Sequence, residues 1–219
     1  LTEEWVQRMK QAGCSRILCG METGSQKILK VMEKNTTQEQ NRNALKWMVN
    51  HDISTTIQLI IGVPGETPET IQETADFASF ACTLSPNRDP NDLSINYAQA
   101  LPGTPLYEYA RKQGLISKSL DEEEKYLLAI SDRDARDAET TLNFTDYPRL
   151  ELDKWHFIIQ SQARKTYIDL WGMEEYKKCL FRSPRFRVKE QAVSGADSKG
   201  DTGYYAEPAR SRENFIPDS

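Results

Sequence analysis

The sequence predicts an α/β fold with a parallel sheet, and three observations carry that reading. Apolar runs of strand length, "RILCG", "STTIQLIIGV" and "LSINYAQAL", alternate with segments of helical periodicity. Their ends fall roughly 40 residues apart, the length of a right-handed strand–helix–strand crossover. A glycine-rich or polar stretch, "GMETGS", "GVPGET" or "ALPGTP", closes each run. Parallel sheets bind ligands beyond the carboxyl ends of their strands, so these three stretches should share one face.

Each element has its own signal. "LTEEWVQRMKQAG" places Leu1, Trp5 and Met9 four residues apart, with acidic residues early and Gly13 as a stop, which predicts an amphipathic helix. "RILCG" reads as a short buried strand ending at Gly20. Ser25 then stands as an N-cap before Ile28, Leu29 and Met32 on one helical face. Thr37 with Gln40 three residues on is a capping box, opening a helix with Ala44, Leu45 and Met48 inward. "STTIQLIIGV" is the strongest strand, β-branched and bounded by Gly62. Thr67 followed by Pro68 starts the next helix, whose apolar stripe is Ile71, Ala75, Ala78 and Cys82.

A third strand over "LSINYAQAL" is broken by "PGTP", and a short helix runs from Leu106 to Gln113. Beyond it, "SLDEEEKYLLAISDR" predicts a helix and "TTLNFTDYP" a loop or extended segment. "ELDKWHFIIQSQARKTYIDLWG" predicts a long helix with Trp155, Ile159 and Ala163 on one face. The partition expected is 1–115 for the alternating elements, 116–189 for a mostly helical extension and 190–219 for a disordered Gly/Ser/Asp/Arg-rich tail.

Composition excludes some partners. The 219 residues carry a net charge of -5, so no basic footprint for nucleic acid or an anionic membrane is present. The exception, "KKCLFRSPRFRVK" at 177–189, reads as a solvated edge, with a phosphate or RNA contact as the alternative. Four cysteines, Cys14, Cys19, Cys82 and Cys179, have no metal-ligand spacing and read as spectator thiols of a reducing compartment. His51 and His156 lack partners at ligand spacing. No run approaches the roughly 18 apolar residues of a membrane span. Because the chain starts at Leu1 within a helix pattern, it reads as the carboxyl-terminal part of a longer protein.

Several residues at the strand ends invite chemistry. Glu22, beside a helix start, can accept from a ligand's vicinal hydroxyls or from backbone N–H groups of its own turn. Lys34, twelve residues on, either is solvated or returns to the same strand end to hold a ligand carboxylate. Gln58, inside an apolar strand, needs a partner: a neighbouring strand's carbonyl or a ligand hydroxyl. "GVPGET" could cradle an anion at a helix start, but Glu66 argues against phosphate and favours a tight structural turn.

Taken in order, "GMETGSQKILKVMEKNTTQEQ", "TTIQLIIGVPGETPETIQET" and "NYAQALPGTPLYEYARKQG" resemble the second half of the radical S-adenosylmethionine (SAM) barrel. The subgroup most resembled often carries a cobalamin-binding domain. The resemblance covers roughly residues 1 to 115 and implies the carboxyl-terminal half of a TIM-type barrel, followed by a helical extension and a tail. It gives Glu22 and Gln58 to the SAM ribose, with Ser25 in the Glu22 turn. Lys34 falls near the methionine carboxylate and Ile60 at adenine, while Gly62 permits close approach. Ala98, Gln99 and Ala100 fall near adenine or the methionyl group.

The resemblance also implies a [4Fe-4S] cluster that reduces SAM to a 5′-deoxyadenosyl radical. With cobalamin, methyl transfer or oxidative cyclisation of a small-molecule substrate would follow. The family's CxxxCxxC cluster loop is absent from this chain, so the chain alone is expected to be inactive, with the ligands upstream. A flavodoxin- or ferredoxin-like electron donor and a cytoplasmic location are implied, and neither nucleic acid nor membrane is expected as a partner. The rival readings are a radical SAM methylthiotransferase or RNA-modifying enzyme, a non-catalytic half-barrel binding module, and an ordinary parallel α/β enzyme.

Overall fold

The computed structural model describes residues 1–117, 119–131 and 141–182, and residues 1–183 form one compact unit. Its elements in chain order begin with α1 (Glu3–Gln11), β1 (Arg16–Glu22), α2 (Gln26–Val31), α3 (Gln38–Asn50) and β2 (Ser54–Ile61). They continue with α4 (Pro68–Thr83), β3 (Leu93–Tyr97), α5 (Pro105–Lys112), α6 (Leu120–Ser131), α7 (Arg149–Trp171) and α8 (Met173–Arg182). The three strands form one open parallel sheet in the order β1-β2-β3, as the alternation of strands and helices predicts. The expected tail at 190–219, and most of the basic stretch at 177–189, lie outside the described residues.

Strand periodicity sorts the two faces of the sheet. Ile57, Leu59, Ile61, Leu93, Ile95 and Tyr97 point to the helices and are buried. The register pairs Leu18 with Thr56, Gly20 with Gln58, Gln58 with Ser94 and Ile60 with Asn96, which puts these residues together on the other face. That face is open, and Leu18 upon it is 62% exposed.

The helices follow local chemistry. Thr37 with Gln40, and Thr67 with Thr70, form reciprocal capping boxes, and Thr104 caps α5 just ahead of Pro105. Ile71, Ala75, Ala78 and Cys82 of α4 are all buried, as the spacing predicts. The long helix α7 lies along α4, burying Leu152, Trp155, Ile159, Ala163 and Tyr167. The Trp171 indole N–H donates to the Cys82 carbonyl at 2.9 Å, fastening the end of α7 to α4.

Some expectations change. In α1 the inward residue is Val6, at 0% exposure, with Met9 partly buried, whereas Leu1 and Trp5 face outward at 54% and 58%. A four-residue spacing alone does not identify the covered stripe, and here α3 packs on the neighbouring one. β1 does not stop at Gly20 but reaches Glu22 through a bulge between Gly20 and Glu22. β3 stops at Tyr97, leaving Ala98–Ala100 as a strand-end segment. Ser25 holds the N-cap position of α2 without a side-chain cap bond. Helix α8 carries no separate signal in the sequence reading, because its acidic start follows Gly172 within an otherwise continuous helical pattern.

Candidate functional site

The site is built at the carboxyl ends of β1 and β2, and it starts with a glycine. A Cβ on Gly20 would lie 2.6 Å from Glu22 Oε1, so the missing side chain is the space into which the Glu22 carboxylate folds. Gly20 belongs to the open face, beside Gln58, and the carboxylate therefore lies over that face. Glu22 adopts φ +63°, a conformation few non-glycine residues take, and this turn with the bulge re-aims its side chain. Lys34 Nζ pairs with Glu22 Oε1 at 2.6 Å. The lysine thus reaches the strand end, where it meets Glu22.

The loop after Glu22 is fastened from two helices. Thr23 Oγ1 and Thr74 Oγ1 share a hydrogen bond at 2.8 Å, and the Gly24 N–H donates to Thr74 Oγ1 at 3.1 Å. From α3, Asn41 Nδ2 donates to the Met21 carbonyl at 3.2 Å, and Gln38 Nε2 donates to the Gly24 carbonyl. The Ser25 N–H donates to Thr23 Oγ1 at 3.1 Å, so the threonine does the local bonding expected of Ser25. Ser25 Oγ is left fully buried with no hydrogen-bond partner among the described residues. Such an atom costs about 1–3 kcal/mol unless something bonds it.

Gln58 is half-buried on the open face, and no strand carbonyl receives its amide among the described residues. The reading in which it satisfies a neighbouring strand is therefore not what the fold does. Ile60 stands two residues on, partly covered, on the same face. Gly62 follows at φ +86°, with the Ala98 N–H donating to the Ile61 carbonyl at 2.8 Å beside it. Ala98 and Ala100 are buried in a second apolar cluster at this end of the sheet, together with Ile28, Val63, Tyr107 and Phe144.

Glu66, read from the sequence as part of a tight turn, has a specific task there. Its Oε2 accepts from the Gly62 N–H at 2.6 Å and the Val63 N–H at 3.1 Å, which ties the loop back on itself. Burial pushes its carboxyl up to about 7 despite the two donors, because desolvation outweighs them. Thr74, Asn41 and Gln38 are participants that sequence reasoning missed. Asn41 carries the one available signal, a polar residue on the same helical face as Ala44, Leu45 and Met48.

The described residues do not fit an iron–sulfur cluster or another metal. No group of three or more His, Cys, Asp or Glu side chains among them could hold one. Cys82 and Cys179 are buried at 1% and 2% exposure, and burial pushes the Cys82 thiol up to about 12. His156 stacks on Tyr97, and His51 Nε2 lies 3.6 Å from Glu3 Oε1, so neither sits on the open face.

Fold and site together define an α/β unit whose parallel sheet has one open face and a polar rim at the strand carboxyl ends. Residues 1–78 match the family model of the Radical SAM superfamily. The chain is 32% identical over 119 residues to an uncharacterized methyltransferase of Pyrococcus horikoshii, a match covering 52% of the chain and 23% of that protein. It is 32% identical over 100 residues to the anaerobic magnesium-protoporphyrin IX monomethyl ester cyclase of Rubrivivax gelatinosus, covering 46% and 16%. It is 28% identical over 138 residues to a putative methylthiotransferase of Methanocaldococcus jannaschii, covering 61% and 29%. The chain thus spans less than a third of the length of these relatives. The similarity to the Radical SAM superfamily thus lies in the first 78 residues, which hold β1, β2 and the loops at their carboxyl ends. No helix among the described residues is long and apolar enough to cross a membrane.

Proposed function

We propose that this chain supplies the carboxyl-terminal half of the SAM site of a radical SAM enzyme acting on a small molecule by methyl transfer or oxidative cyclisation, with cobalamin. The observation that carries the reading is the Glu22 carboxylate, folded into the gap at Gly20, held by Lys34 and set beside Gln58 on the open face. A carboxylate and a carboxamide side by side suit the two hydroxyls of a ribose, the first accepting and the second able to accept or donate. The buried, unpartnered Ser25 Oγ supports a further polar contact from the same turn. Ile60 and the close-approach backbone at Gly62 and Ala98–Ala100 suit the flat adenine face. Lys34, already paired with Glu22, serves the site by fixing that carboxylate.

SAM, when bound, would supply the radical chemistry, and Glu22, Gln58 and Ser25 would hold its ribose side. This chain's residues bind and orient SAM. The cluster ligands and any cobalamin domain belong, on this reading, to the rest of a longer protein, as does the surface for a flavodoxin- or ferredoxin-like donor. A second reading, methylthiolation, is favoured by the name of the Methanocaldococcus relative. The net charge of -5 weighs against it where the substrate is RNA.

The test titrates SAM into the 219-residue chain by isothermal calorimetry, with Glu22→Ala, Gln58→Ala and Gly20→Ala alongside. Saturable binding by the unaltered chain, weakened at least about tenfold in Glu22→Ala, is expected for loss of a charge-assisted hydrogen bond. Gly20→Ala should weaken binding similarly while leaving the melting temperature close to unaltered, because its Cβ displaces only the end of a flexible side chain. No binding by the unaltered chain, or equal binding by all four, overturns the proposal.

A further inference from the structure

The elements after residue 116 do more than lengthen the chain. Tyr126 of α6 donates its hydroxyl to the Ala100 carbonyl at 2.8 Å. Tyr97, at the end of β3, donates its hydroxyl to Asp153 Oδ1 of α7 at 2.8 Å, under the stacked His156 ring and beside Arg149. Leu152 of α7 stands 3.4 Å from where a Cβ of Gly62 would be. Phe144, 5% exposed, enters the same apolar cluster as Ala98 and Ala100. Its segment braces itself, with Asn143 Nδ2 donating to the Tyr147 carbonyl at 2.6 Å and Asn143 Oδ1 accepting from the Thr145 N–H at 3.0 Å.

Segment 97–100 is thereby held at both ends by side chains from beyond residue 116. Ala98 and Ala100 have almost no side chain with which to fix themselves, and β3 has already ended at Tyr97. The ladder bond from the Ala98 N–H to the Ile61 carbonyl is the last tie to the sheet. Beyond it, the path of the backbone is set by what grips it. The Ala100 carbonyl is in a fully buried residue, where an unpaired acceptor is expensive, so the Tyr126 hydroxyl fixes its direction.

From this geometry we infer that Tyr126 and Asp153 are positioning residues for SAM, holding the backbone of residues 97–100 in the shape that meets the adenine end of the ligand. This rests on the function proposed above, and makes the helical extension part of the cofactor site. Neither side chain touches the ligand. Each acts through Ala100 or Tyr97.

The experiment uses the 219-residue chain with Tyr126→Phe, Asp153→Ala and Asp153→Asn. Tyr126→Phe keeps the ring and loses the donated bond, and Asp153→Asn keeps an acceptor for Tyr97. Amide hydrogen exchange is followed at residues 98–101, with SAM and then free methionine titrated by calorimetry. Tyr126→Phe and Asp153→Ala should speed exchange at those amides while the slowest core amides of β2 stay within about twofold. Each should raise the SAM dissociation constant about three- to tenfold, the effect of one net hydrogen bond, and leave that of methionine unchanged. Asp153→Asn should restore both values.

Unchanged exchange at 98–101 overturns the inference, whatever the affinities do. Faster exchange with unaltered SAM affinity also overturns it, because the segment would then be held without consequence for the ligand. Equal losses for SAM and methionine point to general loosening and overturn it as well. Absence of SAM binding by the unaltered chain is instead the failure of the proposed function, and this inference falls with it.

Discussion

Glu66 offers the sharpest test of how this strand end is stabilised. Two forces oppose each other at its carboxylate. The Gly62 and Val63 N–H groups, at 2.6 and 3.1 Å, favour the charged form, while 3% exposure disfavours it. Burial wins, raising the carboxyl from 4.5 to about 7. The sign follows from proton counts. Between those values the folded chain holds a proton that the unfolded chain has lost, so stability falls as pH rises. The stabilisation is complete below about 4.5 and is lost as pH passes through about 7. Its size is about 3 kcal/mol, at roughly 1.4 kcal/mol per pH unit over that interval.

Urea unfolding of the full chain at pH 5 and pH 8 reads this directly. With a slope of about 1–3 kcal/mol/M, the midpoint should fall by about 1–3 M at the higher pH. Other groups titrate over the same range, among them His156, whose burial lowers its pKa and acts in the opposite direction. The informative quantity is therefore the difference from Glu66→Gln, which keeps an acceptor for both N–H groups and cannot ionise. Glu66→Gln should lose most of the pH dependence. Glu66→Ala, which strands both donors, should cost about 2–5 kcal/mol at pH 5. Identical pH profiles for the unaltered chain and Glu66→Gln would refute the reasoning, showing that the two donors outweigh burial.

Two further outcomes are expected. Gly24→Ala should destabilise the chain by several kcal/mol or prevent folding, because its Cβ would lie 2.3 Å from the Glu73 carbonyl and 2.6 Å from Phe77 Cβ; thermal denaturation checks it, and a shift below about 1 kcal/mol refutes the close approach of the β1–α2 loop to α4. Lys34→Met should leave global stability within about 1 kcal/mol, since the lysine is 44% exposed. It should weaken SAM binding in calorimetry about as much as Gly20→Ala does, because both release the Glu22 carboxylate, and unaltered affinity would contradict the clamp.

Much of the fold could be read from the sequence because its signals are local. Capping boxes at Thr37 and Thr67 and the β-branched run of β2 are properties of neighbouring residues. So is the succession of strands and helices, which with chain handedness yields a parallel sheet. The placement of Glu22 at a strand end, and of Gln58 and Ile60 within the strand beside it, followed from the same periodicity. What periodicity could not supply was the partner across space. Trp5 and Val6 are adjacent, and only the packing of α3 decides which is covered. Gln58 looked buried in an apolar run, yet the sheet leaves its face open.

The site's arrangement was decided at longer range still. Lys34 meets Glu22 because the six-residue helix α2 and the turn after it bring the chain back to the strand end. Thr74 and Asn41 fasten the loop from helices whose docking depends on the whole core. Tyr126 and Asp153 reach segment 97–100 from elements that sequence alone assigned to a separate extension. Sequence determines which residues stand at the strand ends, because backbone periodicity is written residue by residue. Tertiary structure decides which are paired, buried or left facing a ligand, because those are sums over neighbours that the chain supplies from far away.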